Sequence, residues 1–270
     1  MPHQNPPESA GASSKLPKSA VKSHNLSSSS RPQTKSISLT MTTSTPKDLY
    51  GGAIKAIAPE GWLDASDLRQ IPDHQELFLS STTLSNLIFE INEYVSGETA
   101  LSSLQSNPQS QTLDILGPNP EASPQTVDKA AALYHLNDIR DGDSDTLRIV
   151  TPPSQVSMTK LTNTRAYKGV AVLTSPTAER ARNGVAPSIG GAAAGSSMDG
   201  PLTSSVSVHY LLVRLEEQET DFLVFLNVPH GEFDGRGDSR GLTSEENLAE
   251  QTINGLVDKL EIVDWGLFGG

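Results

Sequence analysis

Residues 49–78 read LYGGAIKAIAPEGWLDASDLRQIPDHQELF. This is the most informative stretch of the chain, because it combines two adjacent glycines, a short apolar run and several charged residues. Gly51 and Gly52 predict a tight turn, because glycine adopts backbone conformations that other residues avoid. The apolar residues at positions 53–57 predict a short strand, and the prolines and glycine beyond them mark loops. Seven charged side chains share the stretch with few groups suited to catalysis, so it indicates a recognition surface.

Polar side chains dominate the second half of this stretch. They are Asp64, Asp67, Arg69, Asp73, Gln75 and Glu76. Asp64 and Asp67 either contact a partner or cap a short helical turn, as aspartates commonly do. Arg69 either contacts a partner or holds the loop through an ion pair with Asp73 or Glu76, and we favour the ion pair.

The composition limits what the chain can form. Of its 270 residues 35% are hydrophobic and 5% aromatic, and it contains 21 glycines and 18 prolines. We therefore expect one medium domain with disordered additions. The absence of cysteine excludes disulfides, thiolate metal sites and a cysteine nucleophile. No apolar run approaches the ~20 residues of a membrane span, so no membrane insertion is expected.

Charge is divided unevenly along the chain. Residues 1–47 are rich in Ser, Pro and Lys and carry six basic residues against one acidic residue, a net charge of +5. We expect this tail to be disordered, because it has too few apolar side chains to offset the entropy of ordering. Residues 48–270 carry a net charge of −17, since the whole chain carries −12. Such a domain repels nucleic acid and favours a basic protein partner, although acidity also serves general solubility.

Two low-complexity segments interrupt the predicted domain. Residues 96–121 and 176–204 are rich in Gly, Ser, Pro, Ala or Asn, and we predict loops there, the second being a disordered insert between two strands. Gly190 and Gly195 have the spacing of a phosphate-binding loop. The lysine of that motif is missing, so we predict no nucleotide site.

The remaining segments predict an α+β fold, an antiparallel sheet of about six strands sandwiched between helices. Strands are expected at residues 86–94, 165–174, 206–210 and 221–228, and the last two are joined by a short hairpin. One helix is predicted to start at Ser123 and Pro124, and another at a capping box of Thr243 and Glu246. Trp62 and Trp265 are expected to pack in the core or at its edge.

Catalytic patterns are nearly absent. The six histidines are dispersed, and no metal-binding or nucleophile motif is present. We interpret His135 as solvent-facing, and we expect no catalytic residue, no metal and no cofactor. Glu90 and Glu93 stand apart, because a largely apolar strand gains nothing from two carboxylates at its end. They indicate a contact with a partner.

The chain resembles the Ran guanine nucleotide release factor family, whose members have a PsbP-like fold. The resemblance lies in LYGGA (49–53), DASDLR (64–69) and PDHQE (72–76), and continues in YHLNDI (134–139), TDFLVFLNVP (220–229) and EIVDWGLF (261–268). It implies a domain that binds the small GTPase Ran and promotes release of its bound guanine nucleotide. That activity needs no catalytic chemistry of its own. It supports nuclear import, so the resemblance also implies that the protein is present in the nucleus and the cytoplasm.

The resemblance also implies which residues contact Ran. The matching positions are Asp73, Gln75, Glu76, Glu90 and Glu93, with Asp64, Asp67 and Arg69 nearby. We expect a monomeric protein. A scaffold or trafficking adaptor that uses the same acidic surface without affecting nucleotide remains the alternative function.

Overall fold

The computed structural model describes residues 43–106, 114–116, 123–140, 144–176 and 203–268. We number the strands and the longer helices in chain order. The strands are β1 (Ser44–Leu49), β2 (Ile54–Pro59), β3 (Leu63–Asp64), β4 (Gln75–Leu79), β5 (Asn86–Glu93), β6 (Thr146–Val156), β7 (Arg165–Pro176), β8 (Thr203–Leu215), β9 (Thr220–Pro229) and β10 (Glu261–Ile262). The helices are α1 (Gly97–Ser106), α2 (Pro124–Asp138), α3 (Gly231–Asp234) and α4 (Ser239–Lys259).

Two antiparallel sheets organise these strands. The larger sheet has the order β3-β4-β5-β9-β8-β7-β6, and the smaller one has the order β1-β2-β10. The predicted α+β class with an antiparallel sheet of about six strands is confirmed, and the described residues place seven strands in the larger sheet. Strands β3, β4 and β6 of this sheet were not located from the sequence, and the sequence of β6 contains two consecutive prolines. Prolines are tolerated there because β6 is an edge strand with shifted register.

The core lies on both faces of the larger sheet. One apolar cluster joins this sheet to β2 and α4, and the other joins it to α1 and α2. The central strands β8 and β9 contribute to both clusters, since alternate side chains point to opposite faces. Leu211 and Val224 belong to the first cluster, whereas Leu212 and Phe225 belong to the second. The apolar run of β9 was predicted for this reason, and its short hairpin with β8 is confirmed.

The start of the folded part differs from the prediction. Strand β1 begins at Ser44, inside the segment assigned to the tail, and pairs with β2 along its whole length. The tail prediction is wrong for residues 44–47, because main-chain pairing needs no apolar side chains. Lys47 also lies over the ring of Phe78, at 5.0 Å from its centroid. The rest of the predicted tail, residues 1–42, lies outside the described residues.

The first predicted loop contains a helix. Residues 97–106 form α1, so the loop prediction for 96–121 is wrong in this part. The Ser96 hydroxyl accepts a hydrogen bond from the main-chain N–H of Thr99 at 3.1 Å, which caps the helix. Ala100 and Leu104 are buried against α2. Tertiary packing of this apolar pair stabilises a helix that its polar composition does not predict.

The helix starts were predicted with mixed success. Ser123 caps α2 by accepting from the N–H of Thr126, and Pro124 occupies the first turn, as predicted. The predicted capping box is wrong, because Asp238 caps α4 and Thr243 lies one turn inside it. Among the described residues, no helix has the length and apolar character of a membrane span.

The second low-complexity segment joins two neighbouring strands. Strand β7 ends at Pro176 and β8 begins at Thr203, and these two residues are register partners. Residues 177–202 of the predicted disordered insert lie outside the described part of the chain. Whatever their conformation, they connect strand ends that already lie side by side.

Candidate partner-binding surface

Strand register brings most of the predicted contact residues to one end of the larger sheet. Gln75 at the start of β4 pairs with Glu90, and Glu93 ends β5 opposite Thr220. Strand β4 is preceded directly by the turn that carries Asp73. We name this surface, formed by Asp73, Gln75, Glu76, Glu90 and Glu93, the acidic end of the sheet.

The sheet separates these side chains onto two faces. Gln75 and Glu90 are paired and share the face of α1 and α2, whereas Glu76 is paired with Phe89 on the face of β2 and α4. Asp73 and Glu93 are exposed, and the side chain of Glu90 is 20% exposed. The acidic end therefore presents carboxylates around the edge of the sheet instead of on one flat face.

Glu76 has a structural role that the sequence did not reveal. Its Oε1 accepts a hydrogen bond from the main-chain N–H of Tyr50 at 2.7 Å. The Tyr50 hydroxyl lies 3.1 Å from the carbonyl oxygens of both His74 and Phe89, which share its one proton as acceptors. Tyr50 has a φ of 50°, in the left-handed region that non-glycine residues seldom adopt. Glu76 thus fastens the Tyr50–Gly52 turn to the acidic end.

Tyr50 is a neutral donor in this arrangement. Burial, with the nearby negative charges of Glu76 and Glu90, raises the pKa of the Tyr50 phenol well above its ordinary value. The hydroxyl therefore keeps its proton at physiological pH and stays a hydrogen-bond donor to these carbonyl oxygens.

The structure shows which of the loop residues make contacts within the chain. Asp64 caps the 3-10 turn Ala65–Asp67, accepting from the Ser66 N–H at 2.9 Å and from its hydroxyl at 2.7 Å. Asp67 and Arg69 are exposed on this turn and just after it. The favoured internal pairing of Arg69 is wrong, since within the described part of the chain it forms no ion pair. Asp67 and Arg69 remain available for a contact.

A buried ionic network behind the acidic end was not predicted. Arg214 is fully buried and donates to Asp221 at 2.9 Å and to Asp128 at 3.2 Å. His135 lies 2.9 Å from Asp221 with its side chain 6% exposed, so its interpretation as solvent-facing is wrong. Arg165 extends the network to the surface, pairing with Asp128 and Glu216 at 2.8 Å each.

This network ties helix α2 to the end of β5. Asp221 accepts from the main-chain N–H of Val95 at 3.0 Å, and Arg214 donates to the Val95 carbonyl. Burial raises the pKa of Asp128, although the guanidinium groups of Arg165 and Arg214 oppose that effect. The sequence did contain a signal, because an arginine inside the apolar run LLVRL must find a buried partner.

A second cluster lies on the α4 face of β8. Glu246 of α4 contacts His209 at 2.6 Å and His230 at 3.3 Å, and Ser207 lies 2.8 Å from His230. Burial alone would raise the pKa of Glu246, but hydrogen bonds from His209 and Ser207 and the charges of both histidines lower it below its ordinary value. In the described residues no group of three such side chains has the arrangement of a metal site.

The sequence is similar to those of known proteins. A family described as Ran-interacting Mog1 protein matches residues 47–229. The chain is 27% identical to the Ran guanine nucleotide release factor of Danio rerio over 231 residues, which is 83% of this chain and 99% of that protein. It is 26% identical to the nuclear import protein MOG1 of Saccharomyces cerevisiae over 227 residues, 82% of this chain and 83% of that protein.

The fold is also similar to a solved structure. The crystal structure of the Ran-binding protein Mog1p of Saccharomyces cerevisiae superposes with a TM-score of 0.50 at 18% identity, covering 84% of this chain and 99% of that one. The family match begins within β1 and ends with β9, includes all eight predicted contact residues and spans well over half of the sequence. The chain belongs to the Ran-interacting Mog1 protein family.

Proposed function

We propose that this chain binds the small GTPase Ran, promotes release of its bound guanine nucleotide and thereby supports nuclear protein import. The observation that carries the proposal is the family match, which spans every residue of the acidic end. Relatives aligned over most of their length are named as a Ran guanine nucleotide release factor and as a nuclear import protein. We infer residence in both nucleus and cytoplasm, because import connects these compartments.

Coupled binding is sufficient for this activity. A protein that binds nucleotide-free Ran more tightly than nucleotide-bound Ran lowers the nucleotide affinity of Ran by the same factor. No bond needs to be made or broken by the release factor, so it acts as a regulator of the GTPase and not through chemistry of its own.

The acidic end supplies the proposed contact surface. Asp73 and Glu93 are exposed there, and the partly buried Glu90 is the register partner of Gln75. Carboxylates at this end of a strongly acidic domain steer a basic protein surface toward it. We assign direct contacts to Asp73, Gln75, Glu90 and Glu93, with Asp67 and Arg69 at the margin. Glu76 and Asp64 act by holding the Tyr50 turn and the 3-10 turn.

The test measures nucleotide release directly. Ran loaded with a fluorescent guanine nucleotide is mixed with excess protein, and the dissociation rate is compared with that in buffer. We expect faster dissociation, reversal of the complex by added free nucleotide, and an effect that weakens as salt rises above 0.15 M, where charges are screened over ~8 Å.

Variants connect the activity to the surface. Asp73→Lys with Glu93→Lys should abolish the acceleration while the circular dichroism spectrum stays unchanged, since both side chains are exposed. Each of the two single variants, Asp73→Lys and Glu93→Lys, is compared with Glu60→Lys, which makes a similar charge change at an exposed glutamate beyond the far end of β2. Tight binding of Ran with an unchanged nucleotide dissociation rate would contradict release and leave the adaptor function.

A further inference from the structure

A cleft of about 370 Å³ opens beside the acidic end of the sheet. It lies where β7 begins and where the hairpin between β8 and β9 turns. Its walls include Thr164, Arg165, Arg214, Glu216, Glu217 and Trp265. None of these residues was predicted from the sequence to contact a partner.

The cleft is continuous with the acidic end. Glu93 is the register partner of Thr220, the first residue of β9. Tyr94 directly follows β5, and its main-chain N–H donates to the carbonyl of Glu219 at 2.9 Å. Its hydroxyl accepts a hydrogen bond from Arg165 at 3.2 Å. The Glu216–Gln218 turn therefore sits directly beside the last carboxylate of β5, and one partner can cover both.

The charge in and behind the cleft favours a cationic occupant. Arg214 is fully buried and its charge is met by Asp128 and Asp221, and Arg165 is met by Asp128 and Glu216. Glu217 adds a carboxylate that is exposed and that makes no ion pair with any described residue. Four carboxylates thus accompany two guanidinium groups and the imidazole of His135, and the domain as a whole is also negatively charged.

An aromatic wall completes the cleft. Trp265 is 43% exposed and lies at the edge of the core, whereas Trp62 is buried, and both positions fall within the expectation of core or edge packing. The loop before Trp265 is fixed by main-chain hydrogen bonds from Val263 and Asp264 to the carbonyl of Ala53, at 2.8 and 3.1 Å. An indole face beside carboxylates attracts a lysine or arginine side chain through a cation–π contact as well as charge.

The backbone at the rim is held in an uncommon conformation. Glu219 has a φ of 48°, which is costly for a residue with a side chain. Such conformations are retained where the surrounding structure over-determines them, and they concentrate at binding sites.

We propose that this cleft is a second contact region for Ran and that it receives a lysine or arginine side chain of the GTPase. The inference rests on the proposed function and extends the contact surface beyond the acidic end. Exposed Glu217 and Trp265 would then contribute to the affinity as well as Asp73 and Glu93.

The first experiment compares Glu217→Lys with the Glu60→Lys control. Both replace an exposed glutamate by lysine, so both change the net charge of the protein equally. The dissociation constant for nucleotide-free Ran is measured by isothermal titration calorimetry with wild-type protein as reference. We expect Glu217→Lys to weaken binding by tenfold or more and Glu60→Lys to change it by less than threefold.

The second experiment uses the two tryptophans as probes. The full chain is labelled with 5-fluorotryptophan, and unlabelled Ran is added while the fluorine NMR spectrum is followed. Only two resonances arise, because the chain has two tryptophans, and Trp265→Phe identifies which is which. We expect the Trp265 resonance to shift or broaden on complex formation while that of buried Trp62 stays in place.

The outcomes separate this inference from the function on which it rests. If wild-type protein fails to bind Ran, both the proposed function and the cleft contact are wrong. If wild-type protein binds Ran but Glu217→Lys behaves like Glu60→Lys, or the Trp265 resonance is unchanged at saturation, the cleft contact alone is wrong.

Discussion

Replacing Glu76 with alanine tests whether Glu76 positions the binding surface or only contacts the partner. The 2.7 Å bond from the Tyr50 N–H to the Glu76 carboxylate is charge-assisted, and such bonds contribute about 1.5–3 kcal/mol to stability. Glu76→Ala should therefore lower the free energy of unfolding by about 2 kcal/mol. For a domain of this size that corresponds to a fall of roughly 4–8 °C in Tm.

Glu76→Gln supplies the internal comparison. The amide oxygen can still accept from Tyr50 but carries no charge, and neutral bonds contribute about 0.5–1.5 kcal/mol. We expect roughly half the loss of stability seen with alanine. Asp73→Ala should leave stability unchanged while weakening Ran binding, since Asp73 is exposed.

The assay is urea unfolding followed by circular dichroism, combined with the nucleotide-release measurement on the same samples. In Glu76→Ala the Tyr50 turn loses its main-chain anchor, so both stability and release should fall. An unfolding midpoint identical to wild type with lost Ran binding would refute the positioning role and make Glu76 a plain contact residue.

Three further predictions concern the scaffold. Arg214→Met should cost about 3–5 kcal/mol of stability by denaturant unfolding, because it removes the guanidinium group that Asp128 and Asp221 share, whereas Glu216→Ala at the exposed end of the network should cost at most about 1 kcal/mol. Glu246 has a lowered pKa in the folded state, so its stabilising effect is present above its ordinary pKa of 4.5 and is lost as the pH falls through the folded value. The stability gap between wild type and Glu246→Gln should therefore be larger at pH 7 than at pH 3, and an equal gap at both would contradict the pairing with His209. Replacing residues 177–202 by a short Gly/Ser linker should keep Tm within a few degrees in calorimetry. The strand ends that the linker joins are register partners, so a short loop can connect them, and each doubling of loop length costs only ~0.6 kcal/mol. Loss of cooperative unfolding would show that the replaced segment packs against the domain.

Local sequence patterns predicted those elements whose own residues carry a clear signal, such as an apolar run or a helix cap. Strands β5 and β9 are apolar runs, and the Ser123–Pro124 pair begins α2 as its capping chemistry requires. Strand β1 and helix α1 were missed because their stability comes from neighbours: β1 from main-chain pairing with β2, and α1 from burial of two apolar side chains against α2. Isolated sequence windows contain no information about such neighbours.

Some roles of the candidate contact residues could be predicted from the sequence, and others only from the structure. Glu90 and Glu93 could be selected from the sequence because carboxylates at the end of an apolar strand need an explanation outside the core, and the family resemblance added Asp73. The strand register then placed them at one end of the sheet. Nothing in the sequence indicated that Glu76 would accept from Tyr50, which is 26 residues away.

The sequence by itself determined the fold class, the acidic character of the domain and the segment that carries its family resemblance, because burial patterns, net charge and short motifs are properties of nearby residues. Only the tertiary structure decided which charges are buried, which carboxylate positions a turn and which aromatic side chain stays at the surface. Arg214, Asp128 and Asp221 are ordinary charged residues in the printed chain and become a buried network only when α2 packs against β8 and β9. Trp265 stays half-exposed beside Glu217 because the loop before it is fastened to Ala53. Electrostatics and packing depend on distances in space, and residues far apart in sequence acquire those distances only when the chain folds.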